Sequence, residues 1–555
     1  MKAALVLAVV VAALAAPAGA AAHATVVSTA PEQGAALPRE PGRVVFRFSE
    51  NVETRFGAVR VFDARGRRVD RGATTQPNAS SAAVTLRPGL PDGPYTATYR
   101  VVSADSHPVR GGFTFTVGRS GGRPAAAVAG LLGNDGAGPV TDTAFSVVKG
   151  AAYAATALLA GGALFAWLAW MPPPGPARRR WRGIGVGAGL AGAALAAAGL
   201  VLQGAEAGGT SFWSALDPDV LHDVLATGFG RAWAVWMAAF VTLAVVLAPG
   251  RRGRAPVAVA AAAVAALVIT PAFAGHANAT DPRALMLATD ALHVAAMSAW
   301  VGGVAVLVLV LPLATRQLGT GERTRLLATV VARFSTIALA AVGTLVATGV
   351  LQSVVHLQAF GDLVSTGYGR AILIKSALVL LLVAAGTVNH RRTLPRLRER
   401  AGAGETPGGP GLALRRVIRG ELALMAVAIG VTAALVGYAP PAGSTAGPAS
   451  RSADLGPARL EMTVAPARVG ANDIHLYLLD RRSGAQYDRP KKVDVTARLP
   501  AKGIGPLKLE ARKTGPGHYT VPSATLAPAG DWRLEVDALV SEFDQYTATV
   551  GVSVR

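Results

Sequence analysis

Two short patterns in this sequence could hold a metal ion. The first is Asp105-Ser106-His107, a carboxylate and an imidazole two residues apart. On a strand, such positions point to the same face. The only other histidine before residue 118 is His23. It follows a stretch that reads as a secretory signal peptide: Met1-Lys2, an apolar run from Ala3 to Ala16, then Ala20-Ala21-Ala22. That run is too short for the roughly 20 residues a membrane span needs. Cleavage after Ala22 makes His23 the first residue of the mature chain; cleavage two or three residues earlier does not. As a first residue, His23 chelates one ion through its α-amine and Nδ1. His107 then adds a third nitrogen, and Asp105 an oxygen. A tetragonal N,O set of this kind suits Cu(II). Residues 24–118 contain no Met or Cys to hold Cu(I). The α-amine must lose its proton to bind, so affinity weakens in acid. The competing reading is a frayed terminus beside a surface Asp-x-His. Glu50 is a candidate outer partner of the set.

The second pattern lies in an apolar run. Around His293, Asp290 stands at i−3, Met286 at i−7 and Met297 at i+4, which share one helix face. Imidazole with thioether suits Cu(I), and His276 on the neighbouring span could join. Polar side chains at membrane depth are costly and so are candidates for function. The competing reading has His293 bonding a facing hydroxyl or carbonyl, with the methionines filling space. Arg231, Arg370 and Lys375 either snorkel to headgroups or join an internal polar network. His222 and His356 fall in loops and His390 at a span end, where solvated or interfacial roles are expected. His475 sits on a strand and His518 in a Gly-Pro-Gly-His turn. No ligand set forms around either in the sequence, so packing or partner binding is expected there.

The elements that must position these residues follow from composition. The chain has 555 residues, of which 51 % are hydrophobic and only 16 % charged, with no cysteine. A soluble protein carries roughly 25 % charged residues. Lacking Cys, the chain has no disulfide, thiolate zinc site or Fe–S cluster. The formal charge of +21 sits largely in short Arg clusters between apolar runs. That is topology information rather than a nucleic-acid surface, and no nucleic-acid partner is expected. Eight spans are read at 144–170, 183–203, 229–248, 256–274, 286–311, 327–352, 370–389 and 417–438. Alternate loops are basic: 171–182, 249–255, 312–326 and 390–416, the last with seven Arg. The intervening loops carry Glu206, Asp217, Asp219, Asp223, Asp281 and Asp362. The positive-inside rule then puts both termini outside the cell membrane. A repeat is visible as well. Thr227-Gly228-Phe229-Gly230-Arg231-Ala232 recurs as Thr366-Gly367-Tyr368-Gly369-Arg370-Ala371, and Gly161-Gly162 as Gly302-Gly303. Four spans duplicated in parallel explain both matches. On either side of the membrane region, alternating segments divided by Gly and Pro turns predict small β-sandwiches. Val44–Phe48 and Phe113–Val117 exemplify the first sandwich, Arg459–Val464 and Trp532–Val536 the second.

The expected organisation is a multi-domain membrane protein. It comprises a signal peptide 1–22, a β-sandwich 23–118, a linker 119–142, an eight-helix transmembrane bundle 143–438, a linker 439–456 and a second sandwich 457–555. Residues 23–117 resemble the CopC family of extracytoplasmic copper-binding proteins. The matching words are His23-Ala24, Pro31-x-x-Gly34, Phe48-Ser49-Glu50-x-Val52-Glu53 and Val101-Val102-Ser103-Ala104-Asp105-Ser106-His107-Pro108-Val109-x-Gly111. The resemblance implies an immunoglobulin-like sandwich that binds Cu(II) through His23, Asp105 and His107. The membrane region resembles the CopD family, in Gly275-His276-Ala277, Asp290-x-Leu292-His293, Trp300-x-Gly302-Gly303 and Tyr368-Gly369-Arg370 with Lys375 and Asn389. The last region is similar to YtkA-like sandwiches. Together these imply copper uptake, homeostasis or resistance rather than an enzyme, with copper ions, the bilayer and external copper chaperones or cuproenzymes as partners. There is no Walker A motif or P-type phosphorylation sequence, so ATP is not the direct driver. Two rivals remain: a membrane electron-transfer, haem or copper-reducing protein, and a copper sensor or delivery scaffold without transport.

Overall fold

In a computed structural model, residues 24, 26–33, 35–56, 58–118, 138–248, 254–316, 318–357, 360–436, 449–465, 467, 469–481 and 486–554 are described. They form two compact units, one holding the helical middle of the chain and the other both β-rich regions. The expected signal peptide, its cleavage site and His23 lie outside the described residues.

The first β-region is a two-sheet sandwich. One sheet orders β1 (Val26–Ala30), β3 (Arg43–Phe48), β7 (Ser81–Leu86) and β6 (Asp70–Thr75). The other orders β2 (Ala36–Leu37), β9 (Pro108–Val117), β8 (Gly93–Ser103) and β4 (Val52–Glu53), with β5 (Val59–Phe62) also pairing β8. Alternation drives it: Val44, Phe46 and Phe48 face inward and meet Tyr95, Ala97, Phe113 and Phe115 from the opposite sheet. Phe46 touches the rings of Tyr99 and Phe113 at centroid distances of 5.0 and 5.2 Å. Such edge and tilted aromatic contacts add to the area they bury.

Eight helices in the middle of the described chain are long and apolar enough to cross a membrane. The first runs as α1 (Pro139–Thr156), a π turn (Ala157–Gly161) and α2 (Gly162–Leu168). Then come α3 (Pro176–Gly208), the short α4 (Pro218–Ala226), α5 (Gly228–Leu247) and α6 (Arg254–Ile269). The second half repeats the plan with α7 (Arg283–Leu309), α8 (Leu311–Thr315), α9 (Thr320–His356), the short α10 (Asp362–Ser365) and α11 (Gly367–Val388). A second π turn (Asn389–Thr393), α12 (Leu394–Gly402) and α13 (Gly408–Val436) complete it. Several helices outrun the expected spans, because a hydrogen-bonded backbone continues past the apolar window into charged turns. Arg178–Arg182 lie in the first turns of α3, for example.

The duplication expected from the sequence is built into local structure. Thr227 caps α5 by accepting the Gly230 amide at 3.0 Å, and Thr366 caps α11 by accepting Gly369 at 2.9 Å. Any Cβ on Gly230 would strike the backbone of Val224 and Leu225; on Gly369 it would strike Asp362 and Leu363. Both glycines therefore let a long helix start hard against the short one before it. The glycine pairs of the two halves meet each other. A Cβ on Gly302 would collide with the Ala157 carbonyl and the Gly161 Cα, and one on Gly161 with the Ser298 carbonyl. Small residues that let backbones approach are the usual contact between helices in lipid.

The last region is a second sandwich. One sheet orders β10 (Ala449–Leu455), β11 (Ala458–Ala465), β12 (Gly470–Asp480), β16 (His518–Leu526) and β15 (Arg512–Gly515). The other orders β14 (Ile504–Glu510), β13 (Lys492–Leu499), β17 (Gly530–Leu539) and β18 (Gln545–Val554). Its core holds Leu460, Met462, Ile474, Leu476, Leu478, Trp532, Leu534 and Val536.

Candidate metal centres

Asp105 and His107 do not share a strand face. They occupy the turn joining β8 to β9, where Ser106 has a φ of 75° and folds the chain back. The Ser106 amide donates to the Ser103 carbonyl at 2.8 Å and the Ser103 amide to the His107 carbonyl at 2.9 Å. This tight closure, rather than a pleat, brings the two side chains together. The Asp105 carboxylate is fully buried, accepting from the Ser103 hydroxyl and, at 3.2 Å, from the His107 amide. Its other oxygen lies 3.2 Å from His107 Nδ1. The imidazole thus lies against the carboxylate, and the two side chains are close enough to contribute to one metal site. Glu50 packs beside the pair: burial, then the charge of Asp105, push its carboxyl up to about 8, and the Ala104 amide opposes that shift.

The helical unit gathers polar side chains in its second half. At one end, His276 follows a 3₁₀ turn (Thr270–Ala274) and meets His356, the last residue of α9, with ring centroids 6.0 Å apart. His356 Nδ1 donates to the Gln352 carbonyl at 2.8 Å, which leaves the Nε2 lone pair facing Thr280 Oγ1 at 3.4 Å. Tyr368 covers its other side, at 6.2 Å between centroids. His356 is therefore buried, not the solvated loop residue its position suggested. Helix α9 simply runs four residues beyond the expected end of that span, under cover of its neighbours.

Deeper in, Gln352 donates to Asp290 at 3.3 Å. Thr348 Oγ1 gives its proton to the Thr344 carbonyl at 2.7 Å, so His293 Nδ1 donates to it at 2.8 Å. His293 Nε2 then accepts from Lys375 Nζ at 3.3 Å. His293 thus bonds a facing hydroxyl, as the competing reading has it, and its other nitrogen meets the Lys375 amine. Such a pair can hold a proton between Nζ and Nε2; a metal reaches Nε2 only when Lys375 withdraws. Met286 is fully buried, and Met297 packs against the apolar cluster that includes Trp300 and Phe334. Arg231 and Arg370 are exposed and turn back onto the Ala226 and Val364 carbonyls. Of the three cations, only Lys375 enters the network. Towards the other end, Asn389 in the second π turn donates to a buried Glu421 on α13 at 3.2 Å. The sequence reading passed over Glu421. A lone Glu thirteen residues into α13 was its only signal.

The first half fills the matching places differently. Lys375 corresponds to Trp236, 139 residues earlier, and Tyr368 to Phe229. Trp236 donates to the Leu267 carbonyl at 3.1 Å within a ladder of Phe145, Phe229, Trp233 and Phe240.

Residues 26–118 match the CopC domain, 140–284 the copper resistance protein D-like N-terminal domain, and 328–435 copper resistance protein D. This chain joins CopC and CopD domains. The copper transport protein CutJ of Bacillus subtilis is 27 % identical over 94 % of this chain and 94 % of its own. Copper resistance protein C of Escherichia coli is 29 % identical, over 17 % of this chain and 82 % of its own. The crystal structure of CopC from Methylosinus trichosporium OB3b aligns with 25 % identity over 19 % of this chain and all of its own, with a TM-score of 0.16. The chain is thus similar to copper transport and resistance proteins, and its CopD-type region with eight long apolar helices is that of a multi-pass membrane protein.

Proposed function

We propose that the CopC domain captures Cu(II) outside the cell and that the CopD domain carries copper inward through its second half. Asp105 and His107 are the capture site, joined by the α-amine and imidazole of His23 once the signal peptide is removed. Both termini then lie outside the plasma membrane, as the alternating basic loops require. The observation that carries the transport reading is the uneven duplication. Polar side chains stand at three depths of the second half, and at the place of Lys375 the first half has Trp236, set in a ladder of aromatic rings. Lys375 lies about 12 Å along α11 from its start and Asn389 about 21 Å beyond Lys375, which together reach across a bilayer core. His276 and His356, at one end, offer the first ligands. The His293–Lys375 pair sits below them, where an arriving cation has to displace the lysine. Copper is cargo here, and the chain performs no catalysis.

Copper content in cells lacking their own uptake route tests this reading. Wild type is expected to raise it. His107→Ala should lose the advantage only at low external copper, and His293→Ala at all concentrations. Equal copper content in all three strains contradicts import and favours delivery to external partners.

A further inference from the structure

Two histidines 43 residues apart in sequence meet on the outer face of the C-terminal sandwich. In the β12–β16 ladder His475 pairs with Thr520 and Tyr477 with His518, so all four side chains share the face opposite Ile474, Leu476 and Leu478. A register shift between Lys513 and Gly515 of β15 aims Thr514 at the same patch. His475 Nδ1 and His518 Nε2 are 3.3 Å apart, and Thr520 Oγ1 is 3.4 Å from the first and 3.5 Å from the second. These three atoms form a nearly equilateral triangle whose centre is about 2.0 Å from each corner, the length of a metal–imidazole bond. The bulged Thr514 hydroxyl lies 3.1 Å from His518 Nδ1 and can accept a hydrogen bond from its N–H, which leaves the Nε2 lone pair for the triangle. A ligand histidine is usually fixed through its other nitrogen in this way.

We propose that His475, His518 and Thr520 form a second copper site, for Cu(II), on the C-terminal sandwich. Two imidazoles and a hydroxyl offer no soft sulfur, and among divalent ions such N,O donors bind copper most tightly. The donors are ready at neutral pH: burial, then the neighbouring His475, lower the His518 imidazole to about 4, and burial lowers His475 as well. When Nδ1 of His475 coordinates, its proton resides on Nε2, so no net proton is released. Tyr477 stacks on the His518 ring at 4.3 Å and 8°, holding it in place. The Tyr477 hydroxyl also hydrogen-bonds Thr114 on β9, the strand that follows His107. The choice of copper over other divalent ions rests on the function proposed above; the donor set does not.

The test uses the full-length purified protein, loaded with Cu(II) and equilibrated against a weak chelator. Bound copper and its EPR spectrum are read in wild type, Asp105→Asn/His107→Ala and His475→Gln/His518→Gln. The first double variant is expected to retain a copper with two nitrogen couplings, and the second to lose that species with at least a tenfold drop in affinity. If the spectrum and affinity of that copper are the same in folded His475→Gln/His518→Gln, the proposed site does not exist. Where the double variant fails to fold, His475→Gln alone, at a half-buried position, gives the same decision. The proposed capture role fails separately, if Asp105→Asn/His107→Ala releases no copper. Thr514→Val reads positioning: its copper should bind more weakly with altered nitrogen coupling, whereas a merely structural threonine leaves the spectrum unchanged.

Discussion

At the scale of single residues, the capture turn is set by one carboxylate and the groups that hold it. Asp105 is buried and accepts from the Ser103 hydroxyl and the His107 amide, so its place is fixed before any ion arrives. Glu50 beside it carries a carboxyl raised to about 8. A folded state that keeps a proton the unfolded chain has already released loses stability as pH rises. The window runs from the ordinary 4.5 up to about 8. In the copper-free protein, amide exchange protection of β8 and β9 should therefore fall by a few kcal/mol across that window. In Glu50→Gln it should stay flat, after correction for the intrinsic exchange rate. A wild-type profile as flat as the variant's would show that Glu50 is ionised at neutral pH. The Asp-x-His pair was legible in the sequence because its partners are local. His356, Glu421 and the His475–His518 pair were not. Each depends on how a helix end is covered, how two helices face, or how two distant strands register.

At the scale of elements, the sequence showed more. The repeated Thr-Gly-aromatic-Gly-Arg-Ala word and the two Gly-Gly pairs are backbone requirements, and backbone requirements survive in residue type. Their structural meaning is the cap of α5 and α11 and the crossing of the first π turn with α7. What no local word conveyed was that the glycine pairs of the two halves meet each other. Gly302→Ala places a methyl group against the Ala157 carbonyl and the Gly161 backbone, neither of which can swing aside. Overpacking of this kind costs about 1–3 kcal/mol, so the thermal midpoint of the detergent-solubilised protein should drop by several degrees. Gly343→Ala on α9 meets nothing within 4 Å and should leave it unchanged or slightly raised. Equal midpoints for the two variants would mean the crossing is looser than described. The span ends were less legible than the spans, since apolar windows mark where lipid begins and not where a helix stops.

At the scale of the whole molecule, one chain combines a CopC-like sandwich, a duplicated bundle with a His293–Lys375 pair in its second half, and a second sandwich with its own histidine pair. The central claim is that copper passes through the second half of the bundle. Purified protein in liposomes filled with a copper-sensing chelator tests it most directly, with inward flux followed after copper is added outside. Wild type should fill the vesicles. His276→Ala/His356→Ala should lower the rate at least tenfold while copper binding at Asp105 and His107 persists. A double variant that fills the vesicles as fast as wild type would contradict the path described here.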